Sequence, residues 1–167
     1  MNKKYRIGMY GGKFIPFHKG HDYCLKRACD ECDTVYCIMF LNGADEERIQ
    51  LDSDSALGRY LLFNTSVRRY ENAIPVMLNV GKCRKEDGSE DWDAETPLVR
   101  EIVGDKLDAV YSSEPSYDTY FKHAYPEATH IVVDSERVAY PISGTMIREM
   151  KKEGNQKWKM YVVGIIL

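Results

Sequence analysis

The sequence lacks any long hydrophobic run: none of its uninterrupted apolar stretches approaches the roughly 20 residues that cross a bilayer. The basic start, Met1 to Arg6, has no apolar stretch behind it, and Gly11-Gly12-Lys13 follows too soon for a signal peptide. We therefore expect a cytoplasmic protein with no membrane partner.

A surplus of positive charge is also lacking, since 23 Lys and Arg stand against 26 Asp and Glu in a chain of 167 residues. Nonspecific nucleic-acid binding needs a large excess of cations, so we expect no nucleic-acid partner. The 44% of hydrophobic residues excludes a disordered acidic tail or a fibrous repeat. The length favours one domain over residues 1–167, with a core at 5–152 and a C-terminal tail at 153–167.

The five cysteines are an odd number without a secretory signal, which favours reduced thiols. Cys24, Cys29, Cys32 and Cys37 are spaced C-x4-C-x2-C-x4-C, which faintly resembles an iron–sulfur spacing. The first three fall within or at the end of a predicted helix, and the fourth falls in a predicted buried strand. We therefore expect core residues and no metal site.

Short apolar runs alternate with amphipathic stretches along the chain. The predicted strands cover residues 5–10, 34–41, 74–80, 109–112 and 129–134, and the predicted helices cover 20–31, 55–70, 96–103, 114–125 and 143–152. This order predicts an α/β fold, a Rossmann-like doubly wound parallel sheet of about five strands. The acidic run Asp45-Glu46-Glu47 is interpreted as a solvated turn, residues 83–93 as a loop, and residues 158–167 as a last strand or a remnant before a further domain.

The first chemical constellation follows the first predicted strand and reads GGKFIPFHKGH. His18 and His21 lie where a helix should begin, and a helix start offers free N–H groups and a positive dipole end to anions. Gly11, Gly12 and Gly20 allow close approach of the backbone to a ligand. Together these residues predict a phosphate-binding loop at the switch point of the sheet.

Other interpretations of this loop fit less well. A Walker A loop needs Ser or Thr where Phe14 stands and Gly where Ile7 stands, and no G-x-G-x-x-G fingerprint occurs. Zinc binding by the two histidines lacks the Glu of H-E-x-x-H. A purely structural role for both histidines is the remaining alternative.

The second constellation, PISGTMIRE, lies before the last predicted helix. Ser143 is a good N-cap, and Thr145 adds a second hydroxyl beside the free N–H groups of the helix start. Arg148 lies about one turn further, where a guanidinium could grip the same anion. We expect this segment to meet the first loop.

The two constellations carry a resemblance to a known family. The pattern His18-x-Gly20-His21 resembles the signature of the nucleotidyltransferase superfamily, and ISGTMIR at 142–148 resembles its second signature. The string FIPFHKGH is similar to archaeal-type nicotinamide-nucleotide adenylyltransferases and to the adenylyltransferase half of bifunctional enzymes that also carry ribosylnicotinamide kinase. The SSEP string at 112–115 and the Asp134-x-x-Arg137 pair further resemble the bifunctional family.

The resemblance implies transfer of AMP from ATP to nicotinamide mononucleotide, with Mg²⁺ arriving on the triphosphate. It implies that His18 and His21 contact the α- and β-phosphates and that Lys13 steadies the transferring phosphate. Ser143, Thr145 and Arg148 would hold the β- and γ-phosphates. The other residues expected to bind the nucleotide are Gly11, Gly12, Phe14, Gly20, Asp134 and Arg137.

Several alternatives stay open. The family usually has Arg where Lys13 stands and Gln where Ile15 stands, which leaves the acceptor open. A cytidylyltransferase, an adenylyltransferase acting on another phosphorylated acceptor, and a non-catalytic nucleotide sensor remain candidates. Trp92 either stacks on a flat ring of the substrate or covers the edge of the core. A homo-oligomer is also possible.

Overall fold

The computed structural model describes residues 2–51 and 53–167. Its strands are β1 Tyr5–Gly12, β2 Cys32–Leu41, β3 Ala73–Asn79, β4 Ala109–Ser112 and β5 Thr129–Val132. Its helices are α1 Lys19–Glu31, α2 Gly43–Arg48, α3 Ser53–Val67, α4 Trp92–Val103, α5 Asp118–Ala124 and α6 Gly144–Lys152, with 3-10 helices at Pro115–Tyr117 and Gln156–Tyr161.

The five strands form one parallel sheet in the order β3-β2-β1-β4-β5. The chain builds β1 to β3 toward one edge and then returns to place β4 and β5 on the other side of β1. The switch point therefore lies between the carboxyl ends of β1 and β4, where ligands bind in open sheets of this kind. The predicted doubly wound α/β fold is confirmed.

Alternate residues of the strands enter two separate cores, one on each face of the sheet. Tyr10 and Cys37 pack in the core that also contains residues of α1 and α3. Met9 and Ile38 pack in the core that contains Val99 of α4. Helices cover both faces, which explains why the strands read as nearly continuous apolar runs.

The four regularly spaced cysteines all lie in the core on the α1 side of the sheet, where they are buried and form no disulfide. They act there as small apolar side chains, as expected.

Local capping explains where the helix bounds differ from those predicted. Asp91 accepts the N–H of Ala94 at 3.1 Å, so α4 begins at Trp92 and Pro97 lies inside the helix. The predicted helix at 114–125 is wrong as one element: Glu114 caps a 3-10 turn that opens with Pro115, and α5 follows it.

The C-terminal tail is not a strand. Its 3-10 helix buries Trp158 against a small apolar cluster with Leu62 of α3 and Ile147 of α6. Further on, the N–H of Ile165 donates to Oγ1 of Thr65 at 2.8 Å. Within the described part of the chain, no helix is both long and apolar enough to cross a membrane.

Candidate active site

Two adjacent cavities lie at the switch point of the sheet. We call the first, which His18 and His21 line, the histidine cavity, and its volume is about 150 Å3. We call the second, which Trp92 lines, the aromatic cavity, and its volume is about 400 Å3. Both share a wall made of Gly11, Gly12, Ser112 and Tyr117.

The two histidines form a reciprocal cap at the start of α1. Nδ1 of His18 accepts the N–H of Gly20, and Nδ1 of His21 accepts the N–H of His18, each at 3.1 Å. The rings stack with their centroids 3.6 Å apart. Because each Nδ1 is an acceptor, each neutral ring carries its proton on Nε2, which is the donor left for a ligand.

Burial keeps both rings neutral. It lowers the pKa of His18 to about 4, with the nearby Arg137 acting in the same direction. Burial, His18 and Arg137 hold the pKa of His21 well below its usual value. Two neutral Nε2 donors in one cavity can bind phosphate oxygens through hydrogen bonds rather than ion pairs.

Close packing fixes the rings. A Cβ on Gly20 would lie 2.9 Å from the ring of His18, and one on Gly12 would lie 2.8 Å from the ring of Phe14. Phe14, buried and with a left-handed φ of 48°, meets the ring of His21 edge-on at 4.8 Å between centroids. Phe14 thus supports His21 as well as lining the cavity.

The loop before α6 supplies the other wall of the histidine cavity. Asp134 accepts the N–H groups of Val138 and Ala139 at 2.9 and 3.0 Å, so its carboxylate holds the loop. Arg137 lines the cavity and donates from Nη1 to the carbonyl of Ile142 at 3.0 Å. Asp134 and Arg137 both have left-handed φ values, 49° and 54°, which are strained for residues with a side chain.

The structure brings Arg148 to the first loop but not to the wall of the histidine cavity. Its Nη1 donates to the carbonyl of Ile15 at 2.6 Å, and its Nη2 contacts Oγ1 of Thr145 at 3.2 Å. It lines a separate cavity, together with Lys151 and Trp158. Ser143 caps α6 as predicted, accepting the N–H of Met146 at 3.2 Å.

Lys13 is held by two carboxylates. Its Nζ lies 2.5 Å from Oδ2 of Asp45 and 2.7 Å from Oε1 of Glu90. Burial alone lowers the pKa of Lys13, but the two carboxylates outweigh it and raise that pKa. Asp45 belongs to the first turn of α2, so the interpretation of this acidic run as a solvated turn is wrong.

Sequence reasoning missed Arg59 of α3. Its guanidinium is buried, donates to the carbonyls of Lys13 and Phe14 at 2.6 and 3.4 Å, and pairs with Glu46 at 2.7 Å. A sequence signal exists: Arg59 precedes Leu62 and Phe63 by three and four residues and so lies on the apolar face of the helix.

The aromatic cavity has aromatic walls and acidic groups. Trp92 meets Tyr117 and Tyr120 edge-on, with ring centroids 5.0 and 5.1 Å apart. Nε1 of Trp92 donates to Glu90 at 2.9 Å, which holds the indole on the wall of the cavity. Burial raises the pKa of Glu95, also on this wall, to about 7, and Glu90 adds to the shift.

No protein-family model matches the chain. It is 31% identical over 157 residues to the trifunctional NAD biosynthesis/regulator protein NadR of Escherichia coli, which covers 88% of this chain and 37% of the relative. The NadR protein of Salmonella typhimurium is also 31% identical, over 153 residues that cover 86% of this chain and 36% of the relative. The chain thus spans about a third of the length of these curated relatives.

Solved structures share the fold. A NadR protein in complex with NAD and AMP-PNP superposes with a TM-score of 0.68 at 22% identity, covering 96% of this chain and 46% of that one. A bifunctional NMN adenylyltransferase/ADP ribose pyrophosphatase from Francisella tularensis superposes with a TM-score of 0.63 at 16% identity, covering 95% of this chain and 45% of that one.

Proposed function

This chain is homologous to the NadR proteins and belongs to the nucleotidyltransferase superfamily, and we propose that it transfers AMP from ATP to nicotinamide mononucleotide, giving NAD and pyrophosphate. The observation that carries the proposal is the pair of cavities that share a wall at the switch point. One offers neutral phosphate-binding donors, and the other offers aromatic walls for a flat ring. Two substrates that meet at one phosphorus atom need such an arrangement.

In the proposed step, an oxygen of the mononucleotide phosphate attacks the α-phosphorus of ATP in line. A P–O bond forms to the α-phosphorus, and the bond from that phosphorus to the β-phosphate oxygen breaks. Pyrophosphate leaves with the electron pair. Such a transfer needs positioning and stabilisation of charge rather than a covalent nucleophile.

The residues at the site would divide this work. His18 and His21 would donate from Nε2 to oxygens of the α- and β-phosphates, and Arg137 would add positive charge to the same cavity. Lys13 would exchange a carboxylate partner for the transferring phosphate. Arg148 would leave the carbonyl of Ile15 to reach the outer phosphates.

We include Mg²⁺ in the proposal as the ion that ATP brings. Within the described residues, no group of three or more His, Cys, Asp or Glu side chains could hold an ion. An ion carried on triphosphate oxygens does not require such a group, and bound there it would neutralise charge on the leaving pyrophosphate.

The test is a product-resolved assay with Mg²⁺. ATP and CTP are each combined with nicotinamide mononucleotide, its acid form, flavin mononucleotide, phosphopantetheine and glycerol phosphate, and products are identified by mass. We expect NAD to form from ATP and nicotinamide mononucleotide. We expect no NAD from His18→Ala, which serves as the negative control. If product forms only with another nucleotide and acceptor of the panel, the assignment of nicotinamide mononucleotide as the acceptor is wrong.

A nucleotide sensor is the second candidate, because the curated relatives are named as regulators as well as biosynthetic proteins. Calorimetric measurement of ATP binding in the same samples distinguishes the sensor from the adenylyltransferase. Tight binding without any product across the panel would favour the sensor.

A further inference from the structure

Ser112, His130 and Asp118 form a chain of hydrogen bonds that the proposed transfer does not use. Oγ of Ser112 lies 2.6 Å from Nε2 of His130, and Nδ1 of that ring lies 3.1 Å from Oδ1 of Asp118. An ionised carboxylate only accepts hydrogen bonds, so Nδ1 carries the proton of the neutral ring and donates to Asp118. Nε2 is then the acceptor, and the hydroxyl of Ser112 donates to it.

Three elements of the fold hold this chain in place. Ser112 ends β4, His130 lies on the neighbouring strand β5, and Asp118 begins α5. The imidazole is buried and meets the ring of Phe121 edge-on, with centroids 4.8 Å apart. Hydrogen bonds from Lys122 and His130 lower the pKa of Asp118, which keeps its carboxylate charged.

The remaining contacts of Ser112 leave its proton with the histidine. Oγ of Ser112 accepts the N–H of Glu114 at 3.2 Å, and the carbonyl of Glu114, at 3.3 Å, is the other acceptor within reach of the hydroxyl. The contact with His130 is much shorter and therefore stronger. A hydroxyl that donates to a base, which a third group orients, is the arrangement that activates a serine as a nucleophile.

The position of Ser112 indicates which electrophile it would meet. Ser112 lies on the wall that the histidine cavity shares with the aromatic cavity. The histidine cavity is also lined by His18, His21 and Arg137, whose donors suit phosphate oxygens. A nucleophile beside such donors faces a phosphorus atom whose developing charge they can stabilise.

We propose that Ser112 is a second acceptor for AMP, activated by His130 and Asp118, and that it reacts with ATP when no mononucleotide is bound. The inference rests on the proposed function only in taking ATP as the ligand of the histidine cavity. It adds an activity, the conversion of ATP and water to AMP and pyrophosphate through an adenylylated serine.

The reaction has two steps. In the first, Oγ of Ser112 forms a bond to the α-phosphorus, pyrophosphate leaves with the electron pair of the broken P–O bond, and the hydroxyl proton passes to Nε2 of His130. In the second, water attacks the same phosphorus and the bond to Oγ breaks. His130 returns its proton to Oγ, the proton of the water passes to solvent, and AMP is released.

The decisive variants remove one member of the chain each. Ser112→Ala removes the nucleophile and His130→Gln removes the base. Asp118→Asn removes only a charge, at a carboxylate that is 44% exposed, so the fold should tolerate it. The matched controls are His123→Gln, at an exposed histidine, and Ser113→Ala, which lines the same cavity but pairs with the thiol of Cys24. Melting temperatures identify any variant that fails to fold.

The first measurement is the rate of labelling by an alkyl fluorophosphonate, which tests the nucleophile without any nucleotide. We expect the label on Ser112, located by mass analysis of peptides, and no label in Ser112→Ala. His130→Gln should slow labelling at least about 100-fold, and Asp118→Asn should slow it by a smaller factor. The two controls should be labelled at the original rate.

The second measurement uses ATP and Mg²⁺ without a mononucleotide, with the reaction stopped in acid. We expect either one adenylyl group on Ser112 or, where water removes it quickly, free AMP and pyrophosphate. Ser112→Ala should form neither the adduct nor AMP. Addition of nicotinamide mononucleotide to the unmodified protein should divert the AMP to NAD.

These results separate the inference from the proposed function. Labelling at the same rate in His130→Gln, Asp118→Asn and the unmodified protein would overturn the inference. So would the absence of both adduct and AMP in a protein that forms NAD, and that result would leave the proposed function intact. An adduct on Ser112 in a protein that forms no NAD would support the inference and contradict the proposed function.

Discussion

At the residue scale, His18 uses its two ring nitrogens for different tasks. Nδ1 accepts the N–H of Gly20 and so starts α1, while Nε2 is left as a donor on the wall of the histidine cavity. One side chain therefore links the fold to the proposed chemistry. Protonation would place a hydrogen on Nδ1 and break the cap, so acid should act on stability and activity together.

The first prediction concerns this acid sensitivity. The pKa of His18 is lowered to about 4 in the folded protein from 6.5, so the unfolded chain binds more protons between these values. The contribution of His18 to the unfolding free energy should be fully present above about pH 6.5. It should be lost as the pH drops toward 4, and this loss should amount to about 3 kcal/mol. The measurement is the unfolding free energy from urea titrations across pH 4–8.

The variant His18→Asn isolates this contribution, because Asn is a good N-cap that does not titrate. Its stability should depend less steeply on pH between 4 and 6.5 than that of the unmodified protein. His123→Asn, at an exposed histidine, is the control and should keep the original slope. Equal slopes in all three proteins would contradict the account of the buried pair.

The second prediction concerns Gly20. In Gly20→Ala the new Cβ would lie 2.9 Å from the ring of His18, so the ring must shift. We expect activity to fall about 100-fold, as misplacement of a reacting group by about 1 Å commonly does. Gly43→Ala is the matched control, since a Cβ there meets nothing within 4 Å. Full activity in Gly20→Ala would show that the position of this ring is not critical.

At the scale of elements, the loop between β1 and α1 is held from two sides. Arg59 of α3 donates to the carbonyls of Lys13 and Phe14, and Arg148 of α6 donates to the carbonyl of Ile15. Buried carbonyls need such partners. The loop proposed to bind phosphate is therefore shaped by guanidinium groups that lie far away in the sequence.

The third prediction tests this bracing. Arg59→Met should lower the unfolding free energy by about 3 kcal/mol, because it leaves the two carbonyls and Glu46 without their donor. Arg68→Met, at an exposed position just after α3, should change it by less than about 0.5 kcal/mol. Urea unfolding measures both. Similar losses in the two variants would contradict a specific role for Arg59.

At the scale of the whole molecule, the hydrophobic periodicity was enough to predict the fold, and the motifs were enough to predict which two loops meet. Strand β4 has the bounds predicted for it, because a short apolar run between two turns was interpreted as a strand. The segments that carry the two motifs also meet at the switch point. The partner of Arg148 and the helix at Asp45 could not be predicted, since both depend on contacts between segments distant in sequence. Nor does the sequence reveal the left-handed backbone of Arg137, a residue that lines the histidine cavity.

The central claim is that the donors on the two rings stabilise transfer of AMP. The most direct test is the rate of NAD formation from ATP and nicotinamide mononucleotide by His18→Asn, which keeps the cap and lacks the Nε2 donor. We predict a rate at least about 100-fold below that of the unmodified protein, with an unchanged melting temperature at pH 8. NAD formation by this variant at the original rate would contradict the account.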